Sequence, residues 1–189
     1  MVNRHLVTCG LVVLVAAACG QQTSQEKAVA DTASPATSAA PAASATAGQV
    51  SDADRAAVLT AAGLQANPRG LVKNECDDMV TPQLVPVDLG PTVGPAVLLA
   101  MSGGPSLASC YGDGPGLTLF RRDGASWKEI YSSRGGFLAV MREQHNGAPD
   151  IVFAGPGFSH PAYEWNGKGY ALTTRTVADD RLENAKILP

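Results

Sequence analysis

Residues 150–174, DIVFAGPGFSHPAYEWNGKGYALTT, constrain the fold of this chain most strongly. They read as a buried strand, a Gly-Pro-Gly corner and a hairpin closed at Asn166-Gly167. Apolar runs bounded by Gly and Pro are the mark of buried strands. Asn-Gly supplies the positive φ values that a tight hairpin requires. A looser copy lies upstream. Residues 84–89 (LVPVDL) correspond to 137–141 (FLAVM), and 95–100 (PAVLLA) to 149–154 (PDIVFA). Gly114-Pro115-Gly116-Leu117 corresponds to Gly155-Pro156-Gly157-Phe158. Asp123-Gly124-Ala125-Ser126-Trp127 corresponds to Asn166-Gly167-Lys168-Gly169-Tyr170. The order is kept, and the first copy carries an insertion around residues 102–113. About four strands per unit and a period of roughly 40–55 residues predict blade-like antiparallel repeats. The first unit spans 84–133, with strands at 84–89, 95–101, 116–122 and 126–132. The second spans 136–174, with a polar turn at 142–146.

The run Phe153-Ala154-Gly155-Pro156-Gly157-Phe158, set in a strand–turn–strand unit, resembles the FG-GAP/VCBS-type β repeats of secreted bacterial proteins. The chain looks most like small bacterial lipoproteins with a degenerate pair of such units, over residues 75–174. The resemblance implies a mostly β fold: an antiparallel meander of two blade-like repeat units. In that family an Asp-rich Ca²⁺ loop commonly follows the first strand. The matching place here reads Asp88-Leu89-Gly90-Pro91-Thr92-Val93-Gly94, with one carboxylate. Ca²⁺ takes about six to eight oxygens, so the fold carries over and the metal does not. No metal and no cofactor is expected. A closed propeller needs at least about four blades. Two units therefore predict a curled sheet or small sandwich, unless copies of the chain assemble.

Residues 1–18 read as an export signal. Arg4 and His5 precede the apolar segment 6–15, which is too short to span a bilayer. Ala16-Ala17-Ala18-Cys19 resembles the bacterial lipobox, which implies cleavage before Cys19 and a lipid on its sulfur. The alternative is an A-x-A cut that leaves a soluble periplasmic protein. Gly20, rather than Asp, resembles the sorting pattern of outer-membrane lipoproteins facing the periplasm; anchorage in the cytoplasmic membrane is the other possibility. Residues 19–50 are mostly Ala, Ser, Thr, Pro and Gln. Such a segment buries too little apolar area to offset its ordering entropy, and reads as a disordered tether. One β-rich domain, 51–189, follows.

Residues 51–63 predict a helix lying on the sheet. Ser51 is the N-cap, Asp52 and Asp54 favour the positive end of the dipole, and Gly63 stops it. Residues 64–83 read as irregular, with 74–78 as a solvated acidic turn. Of the four cysteines, Cys9 leaves with the signal and Cys19 takes the lipid. Cys76 and Cys110 remain as an even pair in an oxidising compartment, which predicts a disulfide. The family tends to carry a cysteine near Ser159; its absence leaves only the simple pair. A short helix at 177–186, or a surface turn, ends the chain.

No catalytic constellation emerges. Ser159 and His160 are adjacent, which is not the facing geometry of a nucleophile and its base. There is no G-x-S-x-G elbow, and the Gly-rich segment 112–116 lacks the Lys-Ser/Thr of a phosphate loop. A net charge of −3 gives no basic footprint for nucleic acid. Tyr111, Ser159, His160, Tyr163 and Trp165 form a candidate binding surface. Alternation along a strand gives Tyr163 and Trp165 one direction. Outward, they make a platform for a sugar or protein; inward, they fill the core. The expected function is a non-enzymatic, lipid-anchored envelope module with a protein or glycan partner. An envelope hydrolase using His160, and a Ca²⁺-dependent adhesion repeat, are the alternatives.

Overall fold

The computed structural model describes residues 48–112, 114–157 and 159–189. Cys19, the expected export segment and most of the expected tether lie outside the described residues. Helix α1 (Asp52–Ala61) begins where its cap chemistry places it: the Ser51 hydroxyl accepts from the Asp54 amide at 3.1 Å. Gly63 follows the helix with φ 71°. Val58 and Leu59 form its buried side. A small hairpin comes next, β1 (Val72–Lys73) against β2 (Met79–Val80). The expected solvated turn between them is organised from inside. The Asn74 carboxamide is buried and accepts from the Cys76 and Asp78 amides, each at 2.9 Å.

The first meander runs β3 (Gln83–Asp88), the helical turn α2 (Gly90–Val93), β4 (Pro95–Met101), the turn α3 (Leu107–Tyr111), β5 (Gly116–Asp123) and β6 (Ser126–Arg134). These strands pair in sequence order in a four-stranded antiparallel sheet. The second meander runs β7 (Phe137–His145), β8 (Ala148–Ala154), β9 (Ser159–Trp165) and β10 (Tyr170–Ala178). The helical turn α4 (Asp179–Leu182) and strand β11 (Lys186–Leu188) complete the chain. The second sheet has the order β10-β9-β8-β7-β11. Among the described residues the fold is thus mostly β: two antiparallel meanders of four consecutive strands each, the small β1–β2 hairpin, one N-terminal helix and three short helical turns. The segments aligned in sequence occupy corresponding strands of the two meanders.

Three apolar layers follow from strand alternation. Leu98, Leu117, Leu119 and Ile130 of the first sheet meet Leu138, Ile151, Phe153 and Trp165 of the second in one shared core. The outer face of the first sheet, with Val97, Leu99, Phe120 and Trp127, is covered by Val58 and Leu59 of α1 and by Val72, Val80, Cys110 and Tyr111. The outer face of the second sheet buries Ala139, Met141, Val152, Ala162 and Val177 beneath Leu182. Residues 179–185 cross that face between its two edge strands, β10 and β11.

Two departures from expectation have local causes. Strand β7 continues through the expected polar turn to His145, and the chain reverses at Asn146-Gly147, with φ 55° and 78°. This Asn-Gly pair is the stronger reversal signal, and the Asn146 carboxamide also donates to the Trp165 carbonyl at 2.7 Å. The expected C-terminal helix is one turn only. Lys186–Leu188 adds an edge strand to β7 and places Leu188 in the shared core. A three-residue strand carries too little alternation to be read from sequence.

Cys76 and Cys110 stand at disulfide distance, with Cα atoms 5.7 Å apart and a sequence separation of 34. The pair ties the β1–β2 hairpin to α3. Cys110→Ser is expected to cost about 2–4 kcal/mol in a denaturant melt. Thiol labelling before and after reduction is the direct check: reduction should expose two additional reactive cysteines.

Asp54 links α1 to the first sheet through Arg122, whose guanidinium also lies 4.6 Å from the Trp127 ring centre. Burial acts to raise the Asp54 carboxyl, but hydrogen bonds from Ser51 and Arg122 outweigh it and hold it below the ordinary aspartate range. A lowered folded-state value contributes stability above the unfolded value. That contribution is lost as pH falls through the folded value. Asp54→Asn should therefore flatten part of the acid limb of a melting-temperature profile below pH 4–5, roughly where unfolded aspartates titrate. An unchanged acid limb would contradict this linkage.

Candidate functional site: a histidine–carboxylate cluster on the second sheet

The expected aromatic corner does not form a surface. Trp165 is 2% exposed and packs in the shared core with its ring 5.5 Å from Tyr170. Tyr163 is half-buried on the same side, against Tyr131 at 4.6 Å. Burial and the neighbouring Tyr163 push the Tyr131 phenol well above its ordinary value. Tyr111 is buried beside the Cys76–Cys110 pair, and its ring lies against Gly116. His160 is buried too, and only Ser159 is exposed. The alternation that gives Tyr163 and Trp165 one direction points them inward, because the facing sheet supplies a larger apolar surface than solvent leaves open.

The same alternation sends His160, Ala162 and Glu164 to the outer face. His160 Nε2 meets Asp179 Oδ1 of α4 at 2.5 Å. Ser159 lies on the opposite side of β9, so its hydroxyl does not face this imidazole. His160 and Asp179 form a histidine–carboxylate pair, while the adjacent serine is turned away.

At the other end of this face stands a denser cluster. Asp150 lies on the interior strand β8, with its side chain 2% exposed. His145 Nδ1 sits 2.8 Å from each of its carboxylate oxygens. Arg175 Nη2 bonds Asp150 Oδ2, and also reaches Glu164 Oε1 at 2.8 Å. His145 Nδ1 is 3.8 Å from Glu164. The Asp150 hydrogen bond raises the Arg175 value further, against burial and with help from Glu164, so the guanidinium stays charged. A lone buried carboxylate is costly, and these partners offset that cost.

Two register irregularities build the cluster. Residues 173–175 of β10 stand opposite Ala162 alone, between the pairs Leu172↔Tyr163 and Thr176↔Pro161. The Thr173 hydroxyl closes this bulge by donating to the Ala162 carbonyl at 2.8 Å and accepting from the Arg175 amide at 3.1 Å. Residues 141–143 of β7 stand opposite Asp150 alone, between Val140↔Ile151 and Gln144↔Pro149. Bulges re-aim side chains, and here they bring His145 and Arg175 to Asp150 from opposite sides. Beside them Arg181 of α4 pairs with Glu143.

Residue type alone gave no signal for this cluster. Its members are spread over residues 145–175 on four strands: His145 falls in a polar stretch that reads as a turn, and Asp150 and Glu164 are single carboxylates without a motif. The pairing of a charged residue with the apolar run Ile151–Phe153 was the available clue. The Asp88 loop forms a turn. Asp88 Oδ1 accepts from the Gly90 amide at 3.0 Å, closing a turn, and no second carboxylate of residues 89–94 joins it. These residues do not fit a Ca²⁺ ion. No family model, curated protein or solved structure matches this chain.

Proposed function

We propose that this protein is a non-enzymatic interaction module of the bacterial cell envelope, held at a membrane by lipid on Cys19, with a protein as partner. Kinship with FG-GAP/VCBS-type units and export to the periplasmic side of the outer membrane belong to the same proposal. The observation that carries it is the contrast between the two outer faces. That of the first sheet is covered by α1 and the Cys76–Cys110 segment. That of the second carries Glu143, His145, Asp150, Glu164 and Arg175 beside its short cover, which itself adds Arg181. A hydrophobic cover would stabilise a sheet face at least as well as paired charges, so charges of both signs suit a surface that selects its partner. A protein is favoured over a glycan because Trp165 and Tyr163, the aromatic groups suited to stacking on a sugar, lie on the core side.

The experiment is an in-cell cross-linking pull-down of the native protein, the Cys19→Ala variant and Glu143→Lys, which alters an exposed charge of the face. One reproducible protein partner, lost from both variants, is the expected result. Enriched glycan without protein, or no enrichment in any form, would overturn the protein-binding proposal.

A second reading, an envelope hydrolase, draws on the His160–Asp179 pair. It predicts hydrolysis of an ester or amide substrate that His160→Ala abolishes while the melting temperature holds. Equal activity in both proteins would remove its basis.

A further inference from the structure

We infer that His145, Asp150 and Glu164 constitute a binding site for a divalent transition metal of the Zn²⁺ class, with Arg175 occupying the cation position between the two carboxylates until the metal displaces it. This goes beyond the proposed interaction role and stands on its own geometry. One imidazole nitrogen and two carboxylate oxygens lie within 4.8 Å of one another. That donor mix suits Zn²⁺, whereas Ca²⁺ takes oxygen donors.

The spacing fits as well. Bonds of about 2.0–2.2 Å at tetrahedral angles put neighbouring donors roughly 3.3–3.5 Å apart. The His145 nitrogen stands 2.8 Å from Asp150 and 3.8 Å from Glu164, which brackets that separation. Small side-chain rotations therefore complete three protein bonds. The cluster is reached from solvent, since the His145 side chain is 44% exposed, and three protein ligands would leave the fourth position to water. This is the three-ligand, open-position arrangement of reactive zinc sites rather than the closed arrangement of structural ones.

Arg175 explains why such a buried carboxylate persists without a metal bond. Its guanidinium supplies the positive charge that Asp150 requires. Arg175 is also 40% exposed and rises from a bulge, so it can swing outward, while Asp150 is fixed on an interior strand. The incoming dication then takes over both carboxylates, and the guanidinium returns to water. The two bulges that flank the cluster aim ligand and latch separately: β7 carries His145 and β10 carries Arg175.

The test is a titration of the full chain with ZnCl₂, read by calorimetry and by melting temperature, with CaCl₂ in parallel. Zn²⁺ is expected to raise the melting temperature. His145→Ala should weaken binding by more than the roughly 10–100-fold that loss of an outer-shell partner costs. His160→Ala should leave binding unchanged, which separates this site from the His160–Asp179 pair. Arg175→Gln is the decisive variant. It removes the competing cation from Asp150 and Glu164 and should tighten Zn²⁺ binding. Glu164→Gln serves as a second ligand variant if His145→Ala unfolds.

Absence of a Zn²⁺ effect on the native chain would overturn the site. So would an effect that survives His145→Ala, or weaker binding in Arg175→Gln, which would make Arg175 a structural partner only. An equal response to Ca²⁺ would overturn the transition-metal class. Because the purified chain alone is measured, these outcomes are independent of whether a protein partner is captured.

Discussion

Trp165→Ala is expected to destabilise the domain by about 3–5 kcal/mol, the cost of removing a large aromatic from a close-packed core. The side chain is 2% exposed and stands among Ile130, Ile151 and Tyr170 where the two sheets meet. Globular domains hold only about 5–15 kcal/mol in total, so this one change takes a large share. Denaturant unfolding measures it. Two controls give the result meaning. Trp165→Phe keeps most of the apolar volume, and its lost indole N–H has no hydrogen-bond partner among the described residues, so it should cost much less. Ser159→Ala, at the exposed start of the same strand, should stay within about 0.5 kcal/mol, as surface changes do. A near-neutral Trp165→Ala would mean that the ring faces solvent, and would restore the aromatic platform that the packing removes.

Gly136→Ala carries the second large effect, and its cause is backbone rather than side chain. Gly136 turns the chain from the first meander into the second with φ 81°. A methyl group there would lie 2.1 Å from the Ala154 carbonyl oxygen. That oxygen belongs to strand β8, and the next residue, Phe137, pairs with Ala154 itself. The substitution therefore adds positive-φ strain, about 1–3 kcal/mol, to overpacking of about 1–3 kcal/mol. A fall in melting temperature of roughly 10 °C is expected from the usual size scaling. Gly124→Ala is the comparison. It also has positive φ, at 62°, but meets no atom within 4 Å, so it isolates the strain from the clash. Equal losses in the two variants would show that the close approach to Ala154 is not a tight contact.

Both effects bear on how the two meanders are held together. The Gly-Pro corners of the two units occupy equivalent connections, β4–β5 and β8–β9, and line one cleft of about 510 Å³ together with Gly136 and Phe137. The two connections differ in length and conformation: β4–β5 contains α3 and has positive φ at Gly114, whereas the shorter β8–β9 has it at Gly157. What keeps them adjacent is the shared core and the backbone approach at Gly136. The bulged sheet carrying Asp150 rests on that same core through Ile151 and Phe153. The charged cluster is positioned by packing on the other side of its own strand.

Local chemistry made much of this fold legible in the residues. The Ser51 cap, the Asn166-Gly167 reversal, the boundaries of β4 and β5 and the pairing of Cys76 with Cys110 each follow from neighbours in sequence or from a parity of cysteines. Hydrogen bonds over one to four residues and the restricted φ of Pro and permissive φ of Gly act before any tertiary contact exists. Alternation also showed that Tyr163 and Trp165 share a direction. It could not show which direction, because a strand's two faces become inside and outside only when a second sheet packs against one of them. The same limit hid the His145–Asp150–Glu164–Arg175 cluster. Its members meet across strands, through two bulges that shift register by residues whose side chains give no periodic signal. Sequence determined the long strands of the two meanders, most of their turns and the staple; tertiary structure decided the short strands β1, β2 and β11, which face is buried and which charges meet, because those depend on contacts between segments that no local preference encodes.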